Sequence, residues 1–229
     1  MERYCRIKLF DLQLDGKKML TDFSFSFDGK KAICLLGESG SGKSLLLKAL
    51  NKNPNLFETN GQIEYYFLEE SKNLNWQEIV NFDNLDNEWQ SFLNKFLKTN
   101  KYLSLKIALI LKIISKPDFL FCEDLHNFLT NEELNLFLIF LKKQNIKIFY
   151  ITNQVENSVL SDYLIVIKNN KIAIEGKTIS VLKEEKLMKL LGYSLPFYVN
   201  MSIQLNYYGI LDTICLSKEE LEEAIWKSN

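Results

Sequence analysis

The 229-residue chain predicts an α/β fold that opens with antiparallel strands and closes with a small helical segment. Three observations carry this reading. A short apolar strand, Ala32 to Leu36, runs through a glycine-rich stretch directly into a helix. From Leu103 to Thr152 helical and strand patterns alternate, as they do when helices cover a parallel sheet. The first thirty residues instead alternate apolar and polar positions between turn signals, which is the pattern of paired antiparallel strands.

In chain order, IKLFDLQL reads as a strand and Asp15–Gly16 as a turn; FSFSF follows with Phe23, Phe25 and Phe27 on one face, then a turn at Asp28–Gly29. After the strand at 32–36 a helix reaches about Leu50, and GQIEYYF, 61–67, is again a strand. Residues 70–100 are polar, with apolar anchors at Trp76, Ile79, Trp89, Phe92 and Phe96, so a loop with one or two short helices is expected. Leu103 to Ser115 repeats apolar residues at helical spacing, and Pro117 ends that helix before the strand FLFC, 119–122. Thr130 and Glu133 spell a capping box for a helix to about Lys143, and IKIFYIT, 146–152, is a buried strand. DYLIVIKNNKIAIEG turns back at Asn169–Asn170 as a hairpin, and a helix from about Thr178 to Leu191 follows. Past Gly192, LPFYVNMSIQLNYYGI has the pattern of one amphipathic helix, and Ser217 with Glu220 caps another, KEELEEAIWK. The expected organisation is a main unit over 1–190, with a helical insert at about 70–115, and a helical appendage over 191–229.

Composition narrows the function. Apolar residues at 47% and only three prolines exclude a disordered or collagen-like chain. A formal charge of -1 lacks the basic excess that nucleic acid demands, so no nucleic-acid partner is expected and phosphate recognition must be local. Cys5, Cys34, Cys122 and Cys215 show no CxxC or metal-ligand spacing and read as reduced, buried thiols of a cytoplasmic protein. The N-terminal MERYCRIKLFDLQLD has no apolar core of signal-peptide length, and LSLKIALILKII is interrupted by Lys106 and Lys112, so no membrane span is expected.

GESGSGKS fits GxxxxGK[ST], and the strand before it and helix after it supply the context that gives the motif meaning. Gly37, Gly40 and Gly42 let the backbone approach phosphate oxygens, while the amides of Gly37, Glu38, Ser39, Gly40, Ser41 and Gly42 point positive potential at them. Lys43 reaches the β and γ phosphates, and the Ser44 hydroxyl is a magnesium ligand. A second acidic strand end is the complement: past FLFC, Glu123 stands where a carboxylate holds magnesium and Asp124 where one orients the attacking water. His126 reads as a loop histidine, and the Lys17–Lys18 and Lys30–Lys31 pairs as solvated faces.

From about residue 5 to 190 this order of parts resembles the ATP-binding cassette ATPases of membrane transporters: antiparallel opening, phosphate loop, helical insert, Lys116-Pro117-Asp118 before the acidic strand, a strand ending in Thr152, then VENSVLSDYLIVIKNNKIAIEGK. The tail LPFYVNMSIQLNYYGI and SKEELEEAIW resembles the C-terminal segment of the cobalt-transporter and energy-coupling factor ATPases, while GESGSGKS is also a spelling found in peptide and nickel importers. The resemblance implies the P-loop ABC-ATPase fold with a shortened helical subdomain, ATP and magnesium as cofactors, an integral membrane partner at the cytoplasmic face of the membrane, a second cassette ATPase, and dimerisation partly through the tail.

The departures from that family are specific. Its acids run Asp-Glu where this chain has Glu123-Asp124, and its switch histidine is Asn153, which hydrogen-bonds but carries no proton at neutral pH. KYLSLKIAL stands where the family has LSGGQ, with Leu103-Ser104 as the remnant. The adenine-stacking aromatic near Leu14 is missing, with Tyr4 or Phe10 as substitutes, and neither Gln62 nor Gln77 is a convincing Q-loop residue. These losses predict slow hydrolysis and a heterodimer with a more complete cassette ATPase, or a nucleotide-binding subunit that regulates without hydrolysing.

Overall fold

The computed structural model describes residues 3–14, 17–71, 85–99 and 101–228. Strands β1 (Cys5–Leu14), β2 (Lys17–Ser26), β3 (Ala32–Gly37) and β4 (Phe57–Thr59) come first, then β5 (Ile63–Tyr66), β6 (Phe119–Cys122), β7 (Lys147–Thr152), β8 (Tyr163–Lys168) and β9 (Lys171–Lys177). A three-stranded antiparallel sheet is ordered β2-β1-β4, and a six-stranded sheet β5-β6-β7-β3-β8-β9. Five strands of the larger sheet run parallel; β9 returns antiparallel through the expected hairpin, whose Asn169 and Asn170 take φ of 51° and 67°. Three-residue β4 was not expected, because it is too short to show a period and pairs with Cys5–Ile7 some fifty residues earlier.

The helices are α1 (Lys43–Lys52), α2 (Leu68–Ser71), α3 (Asn87–Phe96), α4 (Leu103–Ile114), α5 (Asn131–Lys143), α6 (Thr178–Lys183), α7 (Glu185–Leu190), α8 (Phe197–Tyr207) and α9 (Lys218–Ser228). The single helix expected from Thr178 is two, because Glu184 at ψ 59° leaves the helical region; the break lets Leu182 and Met188 both reach the core. Within 70–100, Trp76 and Ile79 lie outside the described residues, as does the turn at Asp15–Gly16.

Strand alternation sorts the core into two layers. Ile33, Leu35, Phe119, Phe121, Phe149 and Ile165 face the antiparallel sheet and α1, where Phe27 sits with its ring centroid 5.1 Å from that of Phe119. Cys34, Leu36, Leu120, Cys122, Ile148 and Leu164 face the helices. Both faces are covered, which is why these strands read as unbroken apolar runs. On the helical side Phe92 of α3 stacks on Phe140 of α5 at 3.9 Å, and Trp89 meets the same ring edge-on at 4.7 Å.

All four cysteines are free and buried. Lys106, which reads in sequence as an interruption of an apolar run, is 0% exposed inside α4. Its Nζ lies 2.6 Å from Glu133 Oε1 and 2.7 Å from Thr99 Oγ1. Glu133 also completes the capping box of α5, with Thr130 N donating to Oε2 at 3.0 Å. One carboxylate therefore ties α4 to α5. Past Gly192, Val199 and Ile214 join the main core, while Leu211, Cys215 and Leu221 make a small cluster of their own between α8 and α9.

Candidate nucleotide-binding site

The glycine-rich loop joins the C-terminal end of β3 to α1. Gly40 (φ 79°) and Gly42 (φ 90°) take left-handed backbone that a side chain disfavours, and a Cβ on Gly37 would stand 2.5 Å from Ile167 Cγ1. The loop wraps the Lys43 ammonium, which donates to Gly37 O at 2.7 Å, Glu38 O at 2.8 Å and Ser41 Oγ at 3.2 Å. Ser39 through Leu45, with Asp124 and Asn153, line a cavity of about 320 Å³. Gly37 and Glu38 lie behind it, and the Glu38 carboxylate pairs with Lys168. Asn153 Nδ2 donates to Ser39 Oγ at 3.2 Å, joining the end of β7 to the loop.

The two acids part company. Asp124 faces the cavity, whereas buried Glu123 accepts Leu68 N on Oε2 at 3.3 Å and does not line it. Asp124 takes φ 36°, left-handed backbone that aspartate tolerates better than glutamate. The Glu-Asp order thus suits the backbone at its second position.

Charge is finely opposed here. Burial lowers the pKa of Lys43 while Asp124, Cys34 and Glu38 pull it back up. Burial raises the Asp124 carboxyl, Glu123 adds to that, and His126 and Lys43 oppose it. His126, expected only as a loop residue, reaches this network: its Nδ1 is 3.3 Å from Thr152 Oγ1. Sequence offered no signal for that contact across 26 residues beyond its being the sole histidine.

The residues fit a polyphosphate carrying a divalent cation: an ammonium, loop amides and a hydroxyl on one wall, a carboxylate on the other. Among the described residues no group of three or more His, Cys, Asp or Glu forms a protein-only metal cage.

Other expected residues fall elsewhere. Tyr4 is remote from the loop: Lys147, at the start of β7, donates to Arg3 O at 2.8 Å, which puts Tyr4 at the opposite end of the parallel strands. Its ring instead carries the Arg6 guanidinium at 5.3 Å. Gln62 likewise precedes β5, with its N–H on Asp118 Oδ2. The side chains of Phe10, Lys17 and Lys18, and all of Gln77, lie outside the described residues. Lys31 is exposed as expected, but Lys30 is half-buried over the rings of Tyr163 and Phe25 at 4.3 and 5.2 Å. At the start of α4 the backbone turns through left-handed Tyr102 (φ 56°) with no glycine.

A glycine-rich loop between a parallel strand, β3, and a helix, facing an acid from the end of β6 two strands away, defines a P-loop nucleotide-binding protein. The family model described as ABC transporter matches residues 20–116. The energy-coupling factor transporter ATP-binding protein EcfA1 of Listeria innocua is 23% identical, covering 93% of this chain and 92% of the relative. EcfA of Pediococcus pentosaceus is 26% identical over 53% of this chain, which spans just under half, 45%, of that relative. The structure of cbiO1 from Clostridium perfringens, described as part of the ABC transporter complex cbiONQ, superimposes with a TM-score of 0.62 at 16% identity, covering 85% of this chain and 97% of that one. These similarities together support an ATP-binding cassette ATPase, and the relatives it resembles over most of their length are of the energy-coupling factor type.

Proposed function

We propose that the chain is the ATP-binding subunit of a membrane importer, coupling ATP binding and hydrolysis to uptake of a vitamin, metal ion or other small solute. The convergence of Lys43, Ser44, Asp124 and Asn153 on one cavity supports this most directly. In this reading the loop from Gly37 to Gly42 and Lys43 would hold the phosphates, Ser44 would hold magnesium with Glu123, turned to Leu68, reaching it only through water, Asp124 would orient the attacking water and Asn153 would hydrogen-bond the γ phosphate. Residues 1–190 form the nucleotide unit. Residues 191–229 form a dimerisation segment, a role that suits the exposed Phe197, Tyr207 and Trp226. No helix among the described residues is long and apolar enough to cross a membrane, so the chain reaches the cytoplasmic membrane face through an integral partner.

Hydrolysis is slow in this reading. Asp124 is one methylene shorter than glutamate, Asn153 cannot take a proton, and a start of α4 without glycine cannot approach a partner's nucleotide closely. Each misplaced charge-stabilising group costs roughly two to three powers of ten in rate, so the chain pairs with a different, more complete cassette ATPase. The buried Lys106–Glu133 tie at that helix favours a second reading, a regulatory subunit that binds nucleotide without hydrolysing it.

Calorimetry with ATP and magnesium, turnover of the chain alone and with candidate cassette partners, and pull-down from detergent-solubilised membranes test these points. Tight binding lost in Lys43→Ala, weak turnover alone and recovery of an integral membrane protein are expected. Rapid turnover by the isolated chain that Asp124→Asn abolishes would refute the slow-hydrolysis reading.

A further inference from the structure

The ring of His126 lines one cavity and contacts residues that lead into the nucleotide site. On one side it meets residues of the nucleotide site: Nδ1 lies 3.3 Å from Thr152 Oγ1, and the Asn153 carboxamide lies beside the ring. The Thr152 hydroxyl is itself a hub, accepting Gln154 N at 3.1 Å and Asn157 Nδ2 at 3.4 Å, so it sets the path of the chain as it leaves β7. Asn153 then reaches forward to Ser39 in the phosphate loop. On its other side the ring lines a cavity of about 230 Å³ with Thr99, Lys101, Tyr102 and Glu133, at the start of α4.

Imidazole suits that position physically. It is rigid, and its two nitrogens hold two partners at once in a fixed relation, which no aliphatic or hydroxyl side chain does. Burial holds the ring's pKa below its ordinary value, against the opposing effects of Asp124 and nearby Asn153, with Lys43 adding to the lowering. Near neutral pH the ring is therefore a neutral hydrogen-bonding group.

We propose that His126 is a positioning residue of the nucleotide site: hydrogen-bonded to the Thr152 hub, beside Asn153 and adjoining Asp124, it fixes where the Asn153 carboxamide meets a bound γ phosphate. This rests on the nucleotide reading above. Support from behind matters because in front Asn153 meets Ser39, which lies on a glycine-rich loop.

Being the only histidine, His126 gives a single set of ring signals in the uniformly 15N-labelled full chain. Titration with the non-hydrolysable analogue adenylyl imidodiphosphate and magnesium should shift those ring nitrogens and the Asn153 side-chain NH2 in step with the loop amides. His126→Ala should bind the analogue within about threefold of wild type yet lose the Asn153 response, and any turnover should fall about 10- to 100-fold. His126→Asn, which keeps a polar atom toward Thr152, should recover part of that response and covers the case where the alanine variant does not fold. Loop amides that move while the ring and Asn153 stay still, or an Asn153 response unchanged in both variants, overturn the proposal and leave nucleotide binding standing. Loop amides that do not move overturn the nucleotide reading, and this inference with it.

Discussion

Glu133→Gln tests whether Lys106 depends on one carboxylate for its place in the core. The lysine side chain is 1% exposed and Glu133 14%, so the charge on the lysine has no water to fall back on while the glutamate keeps some. Glutamine preserves the shape and the cap to Thr130 but removes the countercharge, leaving an ammonium with Thr99 and the ring of Phe96 at 5.8 Å. Breaking a buried pair this way costs about 3–5 kcal/mol. At about 2.1 cal/mol/K per residue of unfolding entropy, 229 residues give about 0.48 kcal/mol/K, so Tm should fall by about 8 °C. Lys106→Met instead removes the buried charge and leaves Glu133 bonded to Thr130 N and Thr99 Oγ1, so a loss of about 1 kcal/mol or less is expected. Circular-dichroism melts at pH 7 decide the matter. A Glu133→Gln melt within about 2 °C of wild type, or one less affected than Lys106→Met, would refute the reasoning.

The same carboxylate predicts an acid limb. Burial opposes its charge, but hydrogen bonds from Lys106, Thr130 N and Thr99 outweigh burial and hold its pKa below the ordinary 4.5. A depressed folded pKa stabilises above the unfolded value and loses that contribution as pH falls through the folded one. The stability gap between wild type and Glu133→Gln should therefore narrow below about pH 4.5.

Asp124 has the opposite sign: its folded pKa is raised, so its charge destabilises at pH 7, and Asp124→Asn should match or exceed wild-type stability there, with the difference closing as pH falls toward 3.8. Asp124→Glu should cost about 1 kcal/mol in urea unfolding, because glutamate is less at ease at φ 36°. Gly37→Ala, pressed against Ile167, should lose about 1–3 kcal/mol and weaken nucleotide binding by distorting the loop. ATP at about 100 times its Kd should add about 2.7 kcal/mol, read as a rise in Tm that Lys43→Ala abolishes.

Much of the fold was legible because its signals are local. The turn at Asn169–Asn170, the capping box of Thr130 and Glu133, and the strand, loop and helix around Lys43 each sit within a few residues, and the structure has all three. Lys106 was read as an interruption because its partner lies 27 residues away, and nothing near it in sequence announces a buried pair. Strand direction, which no local pattern encodes, puts Tyr4 at the end of the sheet away from the phosphate loop, where it cannot stack on a base held there.

Glu123 and Asp124 divide along the same line. The sequence by itself determined that two acids end β6 opposite a phosphate loop, since apolar run, spacing and glycine pattern are properties of adjacent residues. Only the tertiary structure decided that Asp124 faces the loop while Glu123 turns to Leu68, and that His126 reaches Thr152. Those outcomes depend on backbone dihedrals and through-space neighbours, which arise when distant segments pack together.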